Sequence, residues 1–501
     1  MKTKFKLLAV MTMAFGLFSC NNDDALDNPT DGPGILGNAE TYATIRIAMP
    51  GGDALGMRAV SRANENGPET GDGEEQGTEQ ENNVTSVTLY FFPSPNNDGT
   101  VATGNCLGIL PITTLSKATS ETAVIYEAKK VKVGIEGTNL MAYAVVNGAV
   151  PGVNAGTPLA TFLGKTMKTA DATTVNNMLM TSRNPGKVTL DESSTESNPA
   201  QLAVSVERTA AKIIYSPTNG DVFEIKSTAD NTTKVGTASL TGYKLVNLRN
   251  DAYYFRKVGN ASGTVETDKN GGGDQNGTNF VIDPYFTQKT VDAAAAADFT
   301  TTWFGDDKVY ASNPTDYKTI PTEANTALGY CMENTMKTEA QLNGYSTGMI
   351  FKATYVPEKV TVYDKQTGTV SQETYTAGAT IYRYGDELYK TKQDIIDRYS
   401  LDTEGQKEIQ EYTGDQSKGV TCYYKYWIRH YRNDNDELMG IMEFAIVRNN
   451  AYRLSVSKVS GIGEPSDEID PNTPDESSKM YLDVNVTILP WVVRNNEGII
   501  L

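Results

Sequence analysis

Histidine is almost missing from this chain: His430 is the only one in 501 residues. Catalytic triads that use a distant histidine, and zinc sites rich in His or Cys, have little material here. Cysteine is scarce as well, limited to Cys20, Cys106, Cys331 and Cys422. The last three cannot all pair within one chain, so disulfides are not the organising framework. One bridge plus a free thiol, or three buried thiols, are the readings left open. Positive charge is in deficit, with 44 Lys and Arg against 62 Asp and Glu and a formal net charge of −18. That balance speaks against nucleic acid as a partner, because phosphate binding needs clustered cations. Beyond Phe18 no apolar run is long enough to cross a bilayer as a helix, and no internal repeat of short period is visible. The acids concentrate in linkers and turns, and none forms a recognisable catalytic pair of the glycosidase kind. We therefore expect no enzyme activity, no cofactor and no metal.

What is present begins with a targeting segment. Lys2, Lys4 and Lys6 precede a short apolar stretch from Leu7 to Phe18, and Leu17-Phe18-Ser19-Cys20 closes it with a small residue before a cysteine. This reads as a signal peptide over 1–19 ending in a lipobox, with lipid attached to Cys20. Acyl chains there would supply membrane affinity that the rest of the chain lacks. Asn21-Asn22-Asp23-Asp24 resembles an acidic surface-export signal. Thr41-Tyr-Ala-Thr-Ile-Arg-Ile-Ala-Met49 then alternates as a strand, with Ala43, Ile45, Ile47 and Met49 on one face. Pro50-Gly51-Gly52 stops it. Met57-Arg58-Ala59-Val60-Ser61-Arg62-Ala63 leads into an acidic linker over 63–83, whose part from Asn64 to Asn83 holds seven acids and no base. Such a composition predicts disorder. The strand before it must therefore pair with something distant, across a basic link open to proteases.

From Val84 the pattern turns to short strands: Val84–Phe92, Thr122–Val133, Thr138–Val146, Lys187–Leu190 and Leu202–Tyr215. They suggest a first domain over 84–216 with a helical insertion at Leu159–Met180. A second domain over 217–501 carries strands at Phe223–Ile225, Ala238–Asn247, Ala379–Tyr384, Cys422–Tyr431, Met442–Val447 and Tyr452–Val459. Helical spacing appears at Thr322–Thr338 and Leu388–Tyr412, and Gly259–Thr278 reads as a flexible loop. The expected fold is mainly β: two antiparallel, Greek-key-type β-sandwich domains with a few helical insertions. The final stretch alternates strictly, with Leu482, Val484, Val486 and Ile488 on one face. Trp491, Val493, Ile499 and Leu501 carry the apolar character to the last residue. A tail ending in Ile-Ile-Leu needs burial. It is either an edge strand of its own sheet or a strand given to another subunit.

Several stretches, taken together and in order, resemble the fimbrillins of Bacteroidetes type V pili. Asn139-Leu-Met-Ala-Tyr-Ala-Val-Val-Asn147 resembles a family strand that ends at a corner, and Val206-Glu-Arg-Thr-Ala-Ala-Lys-Ile-Ile214 the strand that closes the N-terminal domain. Tyr423–His430, Met442–Asn450 with Tyr452, Ser460–Pro465 and Val484–Val492 are similar to the C-terminal domain of the minor fimbrillin (Mfa) group. The resemblance implies a lipidated precursor, carried through Cys20 at the outer membrane and cell surface. An arginine-specific protease would then cut after Arg58, before Ala59, or alternatively after Arg62, before Ala63. The lipidated propeptide over 20–62, with strand 41–49, would be removed and its groove filled by the C-terminal strand of another copy. Partners implied are further copies of the chain and accessory pilus subunits, and the role implied is a stalk subunit that supports adhesion. Four or five aliphatics on such a strand bring roughly 8 kcal/mol of transfer free energy, at about 1.5–3 kcal/mol each. A head-to-tail contact of this kind gives an open filament. The competing reading is a surface lipoprotein that does not polymerise and binds glycans through the aromatic run from Tyr423 to Tyr431. Aromatics on a strand are more often cross-strand pairs. His430, in alternation with Tyr424, Tyr426 and Ile428, is expected to be packed or hydrogen-bonded.

Overall fold

Alternating apolar residues recur along the chain, and where they do they form sheets. The computed structural model describes residues 39–49, 75–94, 102–119, 124–260, 280–415, 418–430, 435, 438–440, 442–477 and 481–492. The fold is mainly β, built from several sheets. The first has nine strands. Eight run in the order Gly108–Ile112, Val87–Pro93, Gly137–Val146, Met180–Ser182, Ala200–Arg208, Tyr42–Ala48, Val124–Lys132, Ser116–Thr119, and Gly186–Leu190 pairs with Gly137–Val146. Strands far apart in that order share one core, in which Leu89 and Leu110 join Ile47, Val124 and Val204. The opposite face of Val87–Pro93 and Gly137–Val146 is covered too, by Phe162 and Phe255 against Phe92 and Tyr143. Burial on both faces explains why Val87–Phe92 is apolar almost without interruption.

The chain leaves this sheet at Thr209–Ala210. Asn449 fixes the crossing: its side-chain oxygen accepts from the Arg208 N–H at 3.0 Å, and its own N–H donates to Ala210 O at 2.9 Å. Ala211–Tyr215 then enters a second sheet, between Thr326–Cys331 and Asn450–Val459, followed by Leu482–Val492 and Glu75–Gln76. Leu202–Tyr215, read from sequence as one stretch completing a first domain, is thus two strands in two sheets, and Ala211–Tyr215 lies beyond the sheet to which the boundary at 216 assigned it. A further sheet of Val222–Lys226, Lys234–Val246, Gly348–Pro357 and Val420–Trp427, with Lys318–Thr319 on Lys234–Val246, shares the second core with Ile213, Tyr452 and Leu454.

Three helical expectations shrink. Leu159–Met180 holds only Leu159–Leu163 and Thr169–Ala172, and Leu388–Tyr412 only Lys392–Tyr399 among its α-helical turns. Thr391 and Asp394 cap that last helix, and Ser400, left-handed at φ 52°, ends it. Thr326–Cys331, inside the expected helix 322–338, is a strand because it pairs with Ala211–Tyr215, and tertiary pairing overrides local periodicity. Met442–Val447 forms turns instead of a strand, with Ile446 bridged to Asn334. Glu75–Gln76 and Glu79–Asn82 are ordered within the acidic linker read as disordered, because its carboxylates meet buried cations. Most of Gly259–Thr278 lies outside the described residues.

Candidate functional site

Strand β1 (Tyr42–Ala48) has the alternation that its sequence requires, YATIRIA. It sits between β3 (Val124–Lys132), to which it runs antiparallel, and β4 (Ala200–Arg208), to which it runs parallel. Ile45 faces Leu202 and Ala128 across the two ladders, and Ile47 faces Val204 and Tyr126. Ala43, Ile45, Ile47 and Met49 are all buried in the first core, as the sequence grouping proposed. Both ends are tied down. The Thr41 hydroxyl donates to Ile135 O at 2.7 Å, and the Met49 N–H donates to Val124 O at 3.0 Å. On the other face Arg46 Nε meets Glu127 Oε1 at 2.9 Å, and that bond is the leading cause holding the Glu127 carboxyl below its ordinary range.

The last strand is placed differently. We label Glu75–Gln76 as β2, Ala211–Tyr215 as β5, Asn450–Val459 as β6 and Leu482–Val492 as β7. β7 runs antiparallel to β6 along its length, from Val459↔Leu482 to Asn450↔Pro490. On its other side, among the described residues, its strand neighbour is β2, which reaches only Trp491 and Val492. Leu482 is buried in the second core, and Val484, Val486 and Ile488 pack half-buried against it. Leu489, on the opposite face, is buried with Ile214 and Ala451. The two proposed sets of strand residues thus occupy separate cores of one chain. Trp491 is placed by its backbone in β7; Cys20, Arg58, Ala59, Arg62, Ala63, Val493, Ile499 and Leu501 lie outside the described residues.

A set of polar contacts at the junction of the two sheets escaped the sequence reading. Lys212 of β5 is buried against Glu75 at 2.9 Å and Glu81 at 3.2 Å. The Tyr330 hydroxyl donates to Glu81 at 2.7 Å, and Arg208 donates to Asn82. Burial pushes the Glu81 carboxyl up, but the Tyr330 hydroxyl, the Thr78 N–H and the Lys212 cation together bring it below its ordinary value. Thr78 and Glu81 form a capping box on helix α1 (Glu79–Asn82). That Thr-x-x-Glu spacing was the available signal.

His430 follows the end of strand Val420–Trp427, and its Nδ1 lies 2.8 Å from the Tyr452 hydroxyl. Tyr424 and Tyr426 are buried, whereas Tyr423 is half-buried beside Tyr317. Tyr423, Tyr424 and Tyr481 line a cleft of about 730 Å³. Its charged walls are engaged with one another: Arg383 donates to the Tyr481 hydroxyl at 2.6 Å, and Lys425 pairs with Glu464 at 2.5 Å. Among the described residues no group of three or more His, Cys, Asp or Glu could hold a metal ion, and no helix is long and apolar enough to cross a membrane.

Residues 417–497, which contain β6 and β7, match the family model described as major fimbrial subunit protein type IV, fimbrillin, C-terminal. This part of the chain is similar to the C-terminal region of fimbrillins. Solved structures similar to the chain include a protein from Parabacteroides distasonis ascribed to cell adhesion, at 14% identity and TM-score 0.45, covering 91% of this chain and 98% of that one. A fimbrilin from Porphyromonas gingivalis is similar at 14% identity and TM-score 0.40, with 91% and 99% covered. The tip fimbrial protein Mfa3 of the same organism is similar at 11% identity and TM-score 0.35, with 90% and 100% covered. No match is found among curated proteins. The fimbrillin match thus covers the last strand of the described residues and the strand on which it lies.

Proposed function

We propose that this chain is a structural, stalk-type subunit of a surface fimbria, polymerised by strand replacement and without enzymatic activity. In this reading Cys20 carries the lipid that holds the precursor at the outer membrane. An arginine-specific protease cuts after Arg58 or Arg62, β1 leaves, and the C-terminal strand of another copy enters the slot. Accessory pilus subunits dock by the same exchange, and the filament supports adhesion.

The observation that carries the reading is the position of β1. It is the N-terminal strand of the described residues, yet it lies inside its sheet, laddered on both sides and buried on its aliphatic face. One cut downstream detaches it without interrupting any other element of the described residues. Its departure would expose the backbone edges of β3 and β4 beside an apolar trough lined by Leu202, Val204 and Ala128. A bare interior edge of that kind calls for another strand. β7 has the matching alternation, and the fimbrillin match over 417–497 supports the same assignment.

The test is to treat purified precursor with an arginine-specific protease and run the products unboiled on a denaturing gel. A ladder of multimers is expected from the full chain, and none from a chain lacking residues 481–501. Monomer persisting after complete cleavage of the full chain would overturn the proposal.

A further inference from the structure

The acidic segment just after the cutting sites has few apolar residues with which to hold itself, yet five side-chain contacts tie it to β4, β5, β6 and Tyr330, beside the ladder of β2 on β7. Glu75 pairs with Lys212 of β5 and lies 3.6 Å from Arg453 of β6. Glu81 takes Lys212 and the Tyr330 hydroxyl, and Asn82 takes Arg208 at the end of β4. β2 itself runs parallel beside β7, with Glu75 opposite Trp491 and Gln76 opposite Val492. Arg453 is the ladder partner of Thr487, so Glu75, on β2 beyond β7 in the sheet order, reaches back past β7 to Arg453 of β6 and Lys212 of β5. β7 therefore has β6 on one side and, at its C-terminal end, a strand belonging to the acidic segment on the other. To leave its own sheet it must part from both.

We propose that Glu75–Asn82 is a latch that holds β7 on its own subunit, so that opening of the latch, and not the cut alone, sets how fast cleaved subunits polymerise. The inference rests on the strand-replacement reading above. The latch lies downstream of Arg58 and Arg62, so it stays with the subunit after cleavage. It also covers the end of a strand edge that would otherwise be open to pairing with any passing chain. Its grip comes from buried charge: Lys212 is buried with two carboxylates, and loss of either leaves the cation less fully compensated.

The test compares the full-length precursor with Glu75→Gln and with Glu75→Gln/Glu81→Gln. Each is cleaved to completion, and the growth of multimers is followed with time. Unfolding midpoints in urea show whether each variant keeps its fold; the single substitution, at the less deeply buried carboxylate, serves if the double variant loses it. Hydrogen exchange of the 482–492 amides in the uncut chain reports the hold on β7 independently of assembly. The latch predicts an unchanged cutting rate, polymerisation faster by roughly tenfold, as for a loosening worth one decade, and faster exchange in β7. Unchanged exchange in a folded variant would overturn the latch. So would unchanged or slower polymerisation in a folded variant. A wild-type chain that never polymerises after cutting would instead remove the strand-replacement reading, with the exchange measurement still deciding whether Glu75–Asn82 holds β7.

Discussion

The first and last strands of the described residues, β1 and β7, carry similar alternating aliphatics but are held in unlike ways. β1 has a ladder on each side and its aliphatic face fully buried. β7 has one long ladder, to β6, and a two-residue contact with β2, and its Val484, Val486 and Ile488 are only half-buried. Removing β1 would open the interior of a sheet and its core, and local fraying does not achieve that. Removing β7 would leave β6 as a sheet edge of the ordinary kind. The contrast gives a physical reason why one strand would need a protease to leave while the other could be released by the folded protein. A chain that gives one strand and receives another needs this asymmetry, because two equally fixed strands would never exchange.

The sharpest way to break the comparison is to truncate the same kind of side chain in both strands of the uncut precursor. Ile47→Ala, at a fully buried site, is expected to cost about 2–5 kcal/mol. Val486→Ala, at a half-buried one, should cost about 1 kcal/mol. Urea midpoints with unchanged slopes would measure both. Equal costs would show that β7 is held as firmly as β1, and the asymmetry would be lost.

A second test concerns the turn from which β7 departs. Asp475 lies in the turn Asp475–Ser477, its backbone N–H donates to Gln341 O at 3.2 Å, and the Ser346 hydroxyl donates to its carboxyl. Burial pushes this carboxyl up from 3.8 to about 8, opposed by Ser346 and by Arg429 and reinforced by Glu476 and Glu443. The folded state then binds a proton that the unfolded chain has lost, so stability falls as pH rises from about 4 to about 8 and levels off above. The drop should be on the order of 5 kcal/mol, at about 1.4 kcal/mol for each pH unit between the two values. Asp475→Asn should flatten the profile between pH 5 and pH 9, measured by urea midpoints. A profile as steep as that of the wild type would place the titration elsewhere.

How far these features were legible in the sequence depends on what holds each one. Strands such as β1 and β6 were legible because alternation along one chain decides which side faces a core. Thr326–Cys331 was not, since its state is set by Ala211–Tyr215, more than a hundred residues away. The break at Thr209–Ala210 was hidden because both flanks are β-prone, and only the bonds from Asn449 show where the sheets part. The acidic linker misled for a related reason. Composition predicts the behaviour of Glu75–Asn82 alone in water, whereas its order comes from Arg208 and Lys212, more than a hundred residues along the chain. The single histidine was legible in role but not in place, because its bond to Tyr452 forms beyond the end of the strand.

The smallest expected effect lies on β1 itself, on the face turned away from the core. Arg46 is half-exposed and pairs with Glu127, which also has Lys129 at 3.1 Å. With the arginine half in water such a pair contributes up to about 1 kcal/mol, and Arg46→Ala leaves the buried Glu127 with its second cation. The precursor should therefore lose roughly 0.5 kcal/mol, far less than with Ile47→Ala one residue along the same strand. Because the cut would discard Arg46 together with β1, filaments grown from Arg46→Ala precursor should melt at the wild-type temperature. A shift in filament melting would mean that β1 stays in the assembled subunit, and the difference between the two strands would then have to be explained without its departure.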